Sequence, residues 1–219
     1  MFHRLAPPPP DVILKVMQQF REDPRTDKVD LGVGVYRDAS GQTPVMRAVK
    51  AAEAHLVATQ DSKGYVAMAG DTGFHKAMAG LLLGGVVGEE RIAAAGTTGG
   101  TGAVRHVMEL IHTADPQARV WISQPTWPNH PALAGSVGVE WRPYRYYDAA
   151  TGGLDRAGMM DDLAAAREGD VVLLHGCCHN PTGADLGEAD WAEMAAFLER
   201  RKLIPFVDIA YQGFGEGVD

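Results

Sequence analysis

From residue 91 onward, four short apolar runs recur with helix-like stretches between them: Arg119–Ser123, Val139–Tyr144, Val171–Leu174 and Leu203–Val207. Such runs are too short for helices, and Val171–Leu174, apolar throughout, reads as a strand covered on both faces. Leu163–Arg167 and Trp191–Arg201 read as helices, and in the second Trp191, Met194, Ala195 and Leu198 share one face, which predicts a core contact without chemistry. The alternation predicts an α/β domain whose mostly parallel sheet is covered by helices. In open sheets of this kind ligands bind beyond the carboxyl ends of the strands, so the residues after each apolar run are where function is read.

Four such places are unusually polar. Ile92–Ala95 leads into Gly99-Gly100-Thr101-Gly102-Ala103, which opens a helix with apolar positions at Val104, Val107, Met108 and Ile111. Glycines let backbone amides curl around an anion and the helix start adds positive dipole, so Gly99, Gly100 and Thr101 predict a phosphate cradle. No Gly-Lys-Ser/Thr follows, and the third glycine of a dinucleotide fingerprint is missing. The second place, "SQPTWPNH" (Ser123–His130), offers the Trp127 indole as a surface for a flat ring. The third is "HGCCHNPTG" (His175–Gly183), where Asn180 precedes a proline turn that can aim its amide. In the fourth, Asp208 and Tyr211 follow Leu203–Val207, and an acid at the end of a buried strand needs a cation or strong donor. A phosphate cradle, a stacking aromatic, a donor to a phenolic oxygen and a carboxylate for a ring nitrogen are what pyridoxal 5'-phosphate requires.

Other chemistries fit less well. Structural zinc ligands come as separated pairs, and Cys177 and Cys178 have no second pair; a disulfide between adjacent cysteines would strain an eight-membered ring. A net charge of −8 without a basic cluster argues against nucleic acid. The apolar stretch at residues 79–87 is too short for a membrane span and the first residues lack a signal-peptide core, which together predict a cytoplasmic protein with no membrane partner. A dinucleotide-binding domain would want an acid about 20 residues beyond its glycine loop, where Ser123 and Gln124 stand. Nearer the start, Pro7–Pro10 predict an extended arm, Val12–Arg21, Arg47–Leu56 and Gly73–Leu83 read as helices, and Val29–Tyr36 is extended, with Gly34 open to close backbone approach.

Taken in order, "LGVGVY", "GGTGA", "PTWPNH", "HGCCHNPTG" and "DIAYQGFG" closely resemble class I (fold type I) pyridoxal-phosphate-dependent aminotransferases of the aspartate and aromatic amino acid branch, over nearly the whole chain. The resemblance implies that Gly99, Gly100 and Thr101 hold the phosphate, that Trp127 stacks on the ring, and that Asn180 and Tyr211 bond the ring oxygen. It implies that Asp208 keeps the ring nitrogen protonated, oriented by His130, and that Tyr65 reaches the phosphate of a neighbouring subunit, making a homodimer with shared active sites. Gly34, with Trp127 and Asn180, would contact the substrate. The substrates implied are an amino acid, aspartate or aromatic, and a 2-oxo acid. Cys177, Cys178 and His179 are expected to be packing and framework residues. The resemblance also implies cis peptide bonds before Pro125 and Pro181, and a division into an arm (1–14), part of a small domain (15–45) and an incomplete large domain (46–219).

The sequence departs from the family's pattern in one respect. The Schiff-base lysine of the family lies well beyond the Asp-x-x-Tyr motif, and none of Lys15, Lys28, Lys50, Lys63, Lys76 and Lys202 matches it. The 219 residues therefore look like an N-terminal part of such an enzyme, expected to be inactive alone, and a non-catalytic module binding pyridoxal phosphate or a nucleotide is the competing expectation.

Overall fold

The structure, a computed structural model, describes residues 12–30, 34–215 and 217–218. Residues 1–11 of the expected arm lie outside the described residues, as does the Leu31–Val33 part of "LGVGVY". The chain forms two compact units, Met1–Gly64 and Tyr65–Asp219.

The first unit contributes helices α1 (Val12–Glu22) and α2 (Arg47–Thr59). The Lys28 ammonium donates to the carbonyls of Phe20 and Asp23, each at 2.6 Å, placing a cation at the negative end of α1. Asp38 accepts from the amides of Ser40 (2.8 Å) and Gln42 (3.0 Å), an Asx-type turn that reverses the chain. Gly34 lies in this unit, exposed.

The second unit opens with α3 (Thr72–Leu83), started by the Asp71 carboxylate accepting from the Phe74 amide at 2.7 Å and stopped at left-handed Gly84. Then come α4 (Gly99–Ala114), β1 (Val120–Gln124), α5 (Asn129–Val137), β2 (Trp141–Arg145), a small antiparallel pair β3 (Tyr147–Asp148) and β4 (Gly153–Leu154), α6 (Arg156–Leu163), β5 (Val171–His175), α7 (Glu188–Arg201) and β6 (Ile204–Asp208). The four longer strands form one parallel sheet in the order β2-β1-β5-β6. All four expected strands are present, each ending one residue later than the apolar run suggests. The segment 92–95 is extended but joins no ladder.

Alternate residues of β1 and β5 face opposite layers. Val120, Ile122, Val171 and Leu173 pack with Val104 and Met108 of α4 and Ala134 of α5. Trp121, Val172 and Leu174 pack on the other face with Met159 and Leu163 of α6 and Met194, Phe197 and Leu198 of α7. Burial on both faces is why these strands lack polar alternation. Of the expected α7 face, Met194 and Leu198 are core, Trp191 is half-buried and Ala195 is exposed. The expected helix at 163–167 is a correction: α6 ends there. Asp155 starts it earlier by accepting from the Gly158 amide at 2.8 Å, and the chain after Leu163 tightens into i→i+3 turns whose carbonyls at Ala164 and Ala166 bind Arg201.

At the amino end of β5, buried Asp170 accepts five hydrogen bonds: three from Arg119, one from the Trp121 indole at 3.0 Å and one from the Arg167 amide at 2.9 Å. Burial would raise its pKa, but these donors outweigh it and hold the group at about 2. This ties the amino ends of β1 and β5 together.

Candidate functional site

From β1 the chain runs outward to β2 on one side and, through β5, to β6 on the other. The strand order therefore reverses between β1 and β5, and a crevice opens beyond their carboxyl ends. A cleft of about 250 Å3 lies in this region, lined by Gly100, Thr101, Trp127, His175, Cys177, Asn180, Asp208, Ala210 and Tyr211. Six of the residues singled out in the sequence thus share one pocket, contributed by the start of α4 and the segments after β1, β5 and β6.

Each arrives for a local reason. Gly99 begins α4 at φ +65, a backbone conformation that glycine adopts without penalty. Thr98, at the N-cap, makes no side-chain cap; the Gly99 amide donates to the Thr97 carbonyl at 3.0 Å, which leaves the amides of Gly100 and Thr101 for another acceptor. Gly176 lets β5 turn close to the segment after β6: a Cβ there would stand 2.6 Å from Ile209 Cγ1. The bonds before Pro125 and Pro181 are both cis. Asn180 Nδ2 donates to the Tyr211 hydroxyl at 3.5 Å.

Behind the pocket, hydrogen bonds run in one direction. Burial and the neighbouring His179 and His130 push the pKa of His175 down to about 3, so its ring is neutral near neutral pH. Its Nδ1 accepts from the Asn180 amide (3.4 Å), which puts the ring proton on Nε2, 3.2 Å from Thr126 Oγ1. Thr126 then donates to His130 Nδ1 (2.8 Å), leaving His130 Nε2–H for Asp208 Oδ2 at 2.9 Å. His130 is fully buried, while the Asp208 side chain retains 22% exposure toward the cleft. Among the described residues the second oxygen of Asp208 has no hydrogen-bond partner.

His179 belongs to the frame, as expected. Its ring stacks between Tyr146 (4.0 Å) and His175 (4.1 Å), and its nitrogens meet Ser123 Oγ (3.1 Å) and Thr182 Oγ1 (2.8 Å). Burial lowers its pKa to about 4. Cys177 differs from expectation, because it lines the cleft; burial beside Cys178 raises its thiol pKa, which keeps it a poor nucleophile. Both cysteines are free.

The structure does not bring Gly99 or Tyr65 into the lining: Gly99 stands just behind Gly100, and the Tyr65 side chain is fully exposed. Thr126, His175 and Ala210 were missed in the sequence. Thr126 and His175 sit inside quoted motifs at strand ends, and that position was the available signal.

The family model described as "Aminotransferase class I and II" matches residues 26–219. The chain belongs to this family. The aromatic-amino-acid aminotransferase of Paracoccus denitrificans is 52% identical over all 219 residues, which cover 56% of that protein. An aspartate aminotransferase of Haemophilus influenzae is 43% identical, again over the whole chain and 56% of the relative. Among solved structures, an aromatic-amino-acid aminotransferase from Burkholderia pseudomallei, covalently bound to pyridoxal phosphate, superimposes with a TM-score of 0.95 at 41% identity, over 100% of this chain and 55% of that one. The chain spans about half the length of the curated relatives it matches. Its parallel sheet is that of the fold type I aminotransferases, and within this aminotransferase chain the cleft lies where the strand order reverses.

Proposed function

We propose that the protein to which these 219 residues belong transfers an amino group between an amino acid, aspartate or aromatic, and a 2-oxo acid, using pyridoxal 5'-phosphate. The observation that carries this reading is the convergence on one cleft of an uncapped glycine-rich helix start, an indole, an amide–phenol pair and an acid with one oxygen held by His130 and the other free.

The residues fit the cofactor. The amides of Gly100 and Thr101 would take its phosphate, with Gly99 shaping the turn behind them, Trp127 its ring face, and Asn180 with Tyr211 its ring oxygen. When bound, pyridoxal phosphate supplies an electron-withdrawing ring that accepts the negative charge left when the substrate loses its α-proton. Asp208 would hold a proton on the ring nitrogen and so favour charge acceptance by the ring, its carboxylate being held by the chain Asn180–His175–Thr126–His130. Trp127 and Asn180 are assigned to the substrate.

Among the described residues no lysine lines the cleft. Lys63 is exposed and bonded to Gln60, and Lys202 is paired with Glu168. We therefore assign the 219 residues the grip on ring and phosphate without the proton-shuttling lysine, within a reading of residues 1–14 as arm, 15–45 as part of a small domain and 46–219 as large domain. Exposed Tyr65 supports a homodimer in which it reaches the partner's phosphate. No helix among the described residues is long and apolar enough to cross a membrane, and a cytoplasmic location belongs to the same proposal.

The test treats the 219-residue chain with pyridoxal phosphate and borohydride and maps the peptides. No lysine should carry stoichiometric label, and no transfer from aspartate or phenylalanine to 2-oxoglutarate should occur. Full labelling of Lys63 or Lys202 together with transfer activity would overturn the assignment.

A further inference from the structure

The segment that carries Asn180 to the cleft is held by a residue with no place in the scheme above. Cys178 adopts φ +50, a left-handed conformation that costs a residue with a side chain roughly 1 kcal/mol or more. At this bend the amides of Cys178 and His179 point the same way. Both are taken by one carboxylate: Asp185 Oδ2 accepts from Cys178 N at 2.6 Å and Oδ1 from His179 N at 2.7 Å. Successive amides around a left-handed residue form a concavity that favours an anion, and Asp185 fills it from within the chain. The intervening loop is closed on itself, with Gly183 N donating to His179 O at 2.7 Å and Thr182 Oγ1 joining His179 Nδ1 to Ala184 N. One residue beyond His179 stands Asn180.

We propose that Asp185 is a positioning residue: its carboxylate clamps the Cys178–His179 bend and thereby aims the Asn180 amide, and the Cys177 side of the cleft, at the bound ring. It does not line the cleft itself. Two charge-assisted hydrogen bonds to adjacent amides offset the cost of the left-handed residue. This assignment rests on the proposed function for its probe but not for its structural arm.

The experiment compares Asp185→Ala, Asn180→Ala and the double variant in the full chain. It measures pyridoxal phosphate affinity by tryptophan fluorescence and amide hydrogen exchange at Cys178 and His179. Asp185→Ala should speed exchange of both amides and weaken the cofactor about tenfold, the equivalent of one lost hydrogen bond. In the Asn180→Ala background, removing Asp185 should change affinity by less than about twofold, because both act through the same amide. Effects that multiply would show that Asp185 only supports the fold and would overturn the proposal. Unchanged exchange at Cys178 and His179 would overturn it too. If wild type and all variants fail to bind pyridoxal phosphate, the cofactor reading falls, and the exchange data still decide whether Asp185 clamps the bend. Should Asp185→Ala not fold, Asp185→Asn keeps one acceptor, and it should retain slow exchange at only one of the two amides; retention at both would sink the clamp.

Discussion

Asp170 and Asp208 stand at opposite ends of the same parallel sheet, and their surroundings differ in kind. Asp170, at the amino end of β5, is saturated with five donors from Arg119, Trp121 and Arg167. Asp208, at the carboxyl end of β6, has His130 on one oxygen and open cleft beside the other. An acid with both oxygens engaged inside the protein contributes stability. One left with spare acceptor capacity beside a cleft is available to a ligand, the role proposed for Asp208. The sheet thus separates the two uses of a buried carboxylate by its own length.

The largest expected effect lies at the cleft end. In the full protein Asp208→Asn should lower kcat on the order of a thousandfold, about 4 kcal/mol of barrier, with the unfolding midpoint little changed. Steady-state kinetics with a thermal melt check it, and a loss under tenfold would break the contrast. At the other end the pattern should invert: Asp170→Ala leaves Arg119 and the Trp121 indole without their acceptor and should cost about 3 kcal/mol of stability, read from denaturant unfolding, while kcat per folded molecule holds.

The two ends should also fail at different pH. His175 and His179 have folded pKa values of about 3 and 4, below the ordinary 6.5, so the unfolded chain binds more protons than the folded one in between. Stability should be complete above about pH 6.5 and fall as the pH drops, with uptake of about two protons on unfolding near pH 5. The Asp170 contribution is present above its ordinary 3.8 and is lost as pH falls toward 2. Replacing His175 with Gln should roughly halve the proton uptake of the upper phase, leaving the His179 share, and leave the lower phase unchanged. The smallest effect lies away from the sheet, on α3, where no residue is buried: Leu81→Ala should shift stability by no more than about 0.5 kcal/mol.

Much of this arrangement was legible in the residues. The strands could be read because β1 and β5 are buried on both faces and so are written as unbroken apolar runs, and the site because polar motifs follow those runs directly. What stayed hidden depended on partners distant in the chain. Thr126 is an ordinary threonine until His175, 49 residues later, comes alongside it. Asp185 looks like a loop acid until the left-handed turn at Cys178 aims two amides at it. The false helix at 163–167 arose from an alanine-rich stretch whose propensity favours continuation, whereas the cap at Asp155 and the carbonyl contacts of Arg201 set the real boundaries.

The His130–Asp208 pair spans 78 residues of chain. During synthesis at roughly 5–20 residues per second, His130 leaves the ribosome some 4–16 s before the acid it is built to meet. For that interval an imidazole destined for full burial has Thr126 for company but no carboxylate, and the cleft cannot close around anything. The Asp208 wall of the cleft therefore forms only when β6 joins β5 and sets His175 beside Asp208 in register.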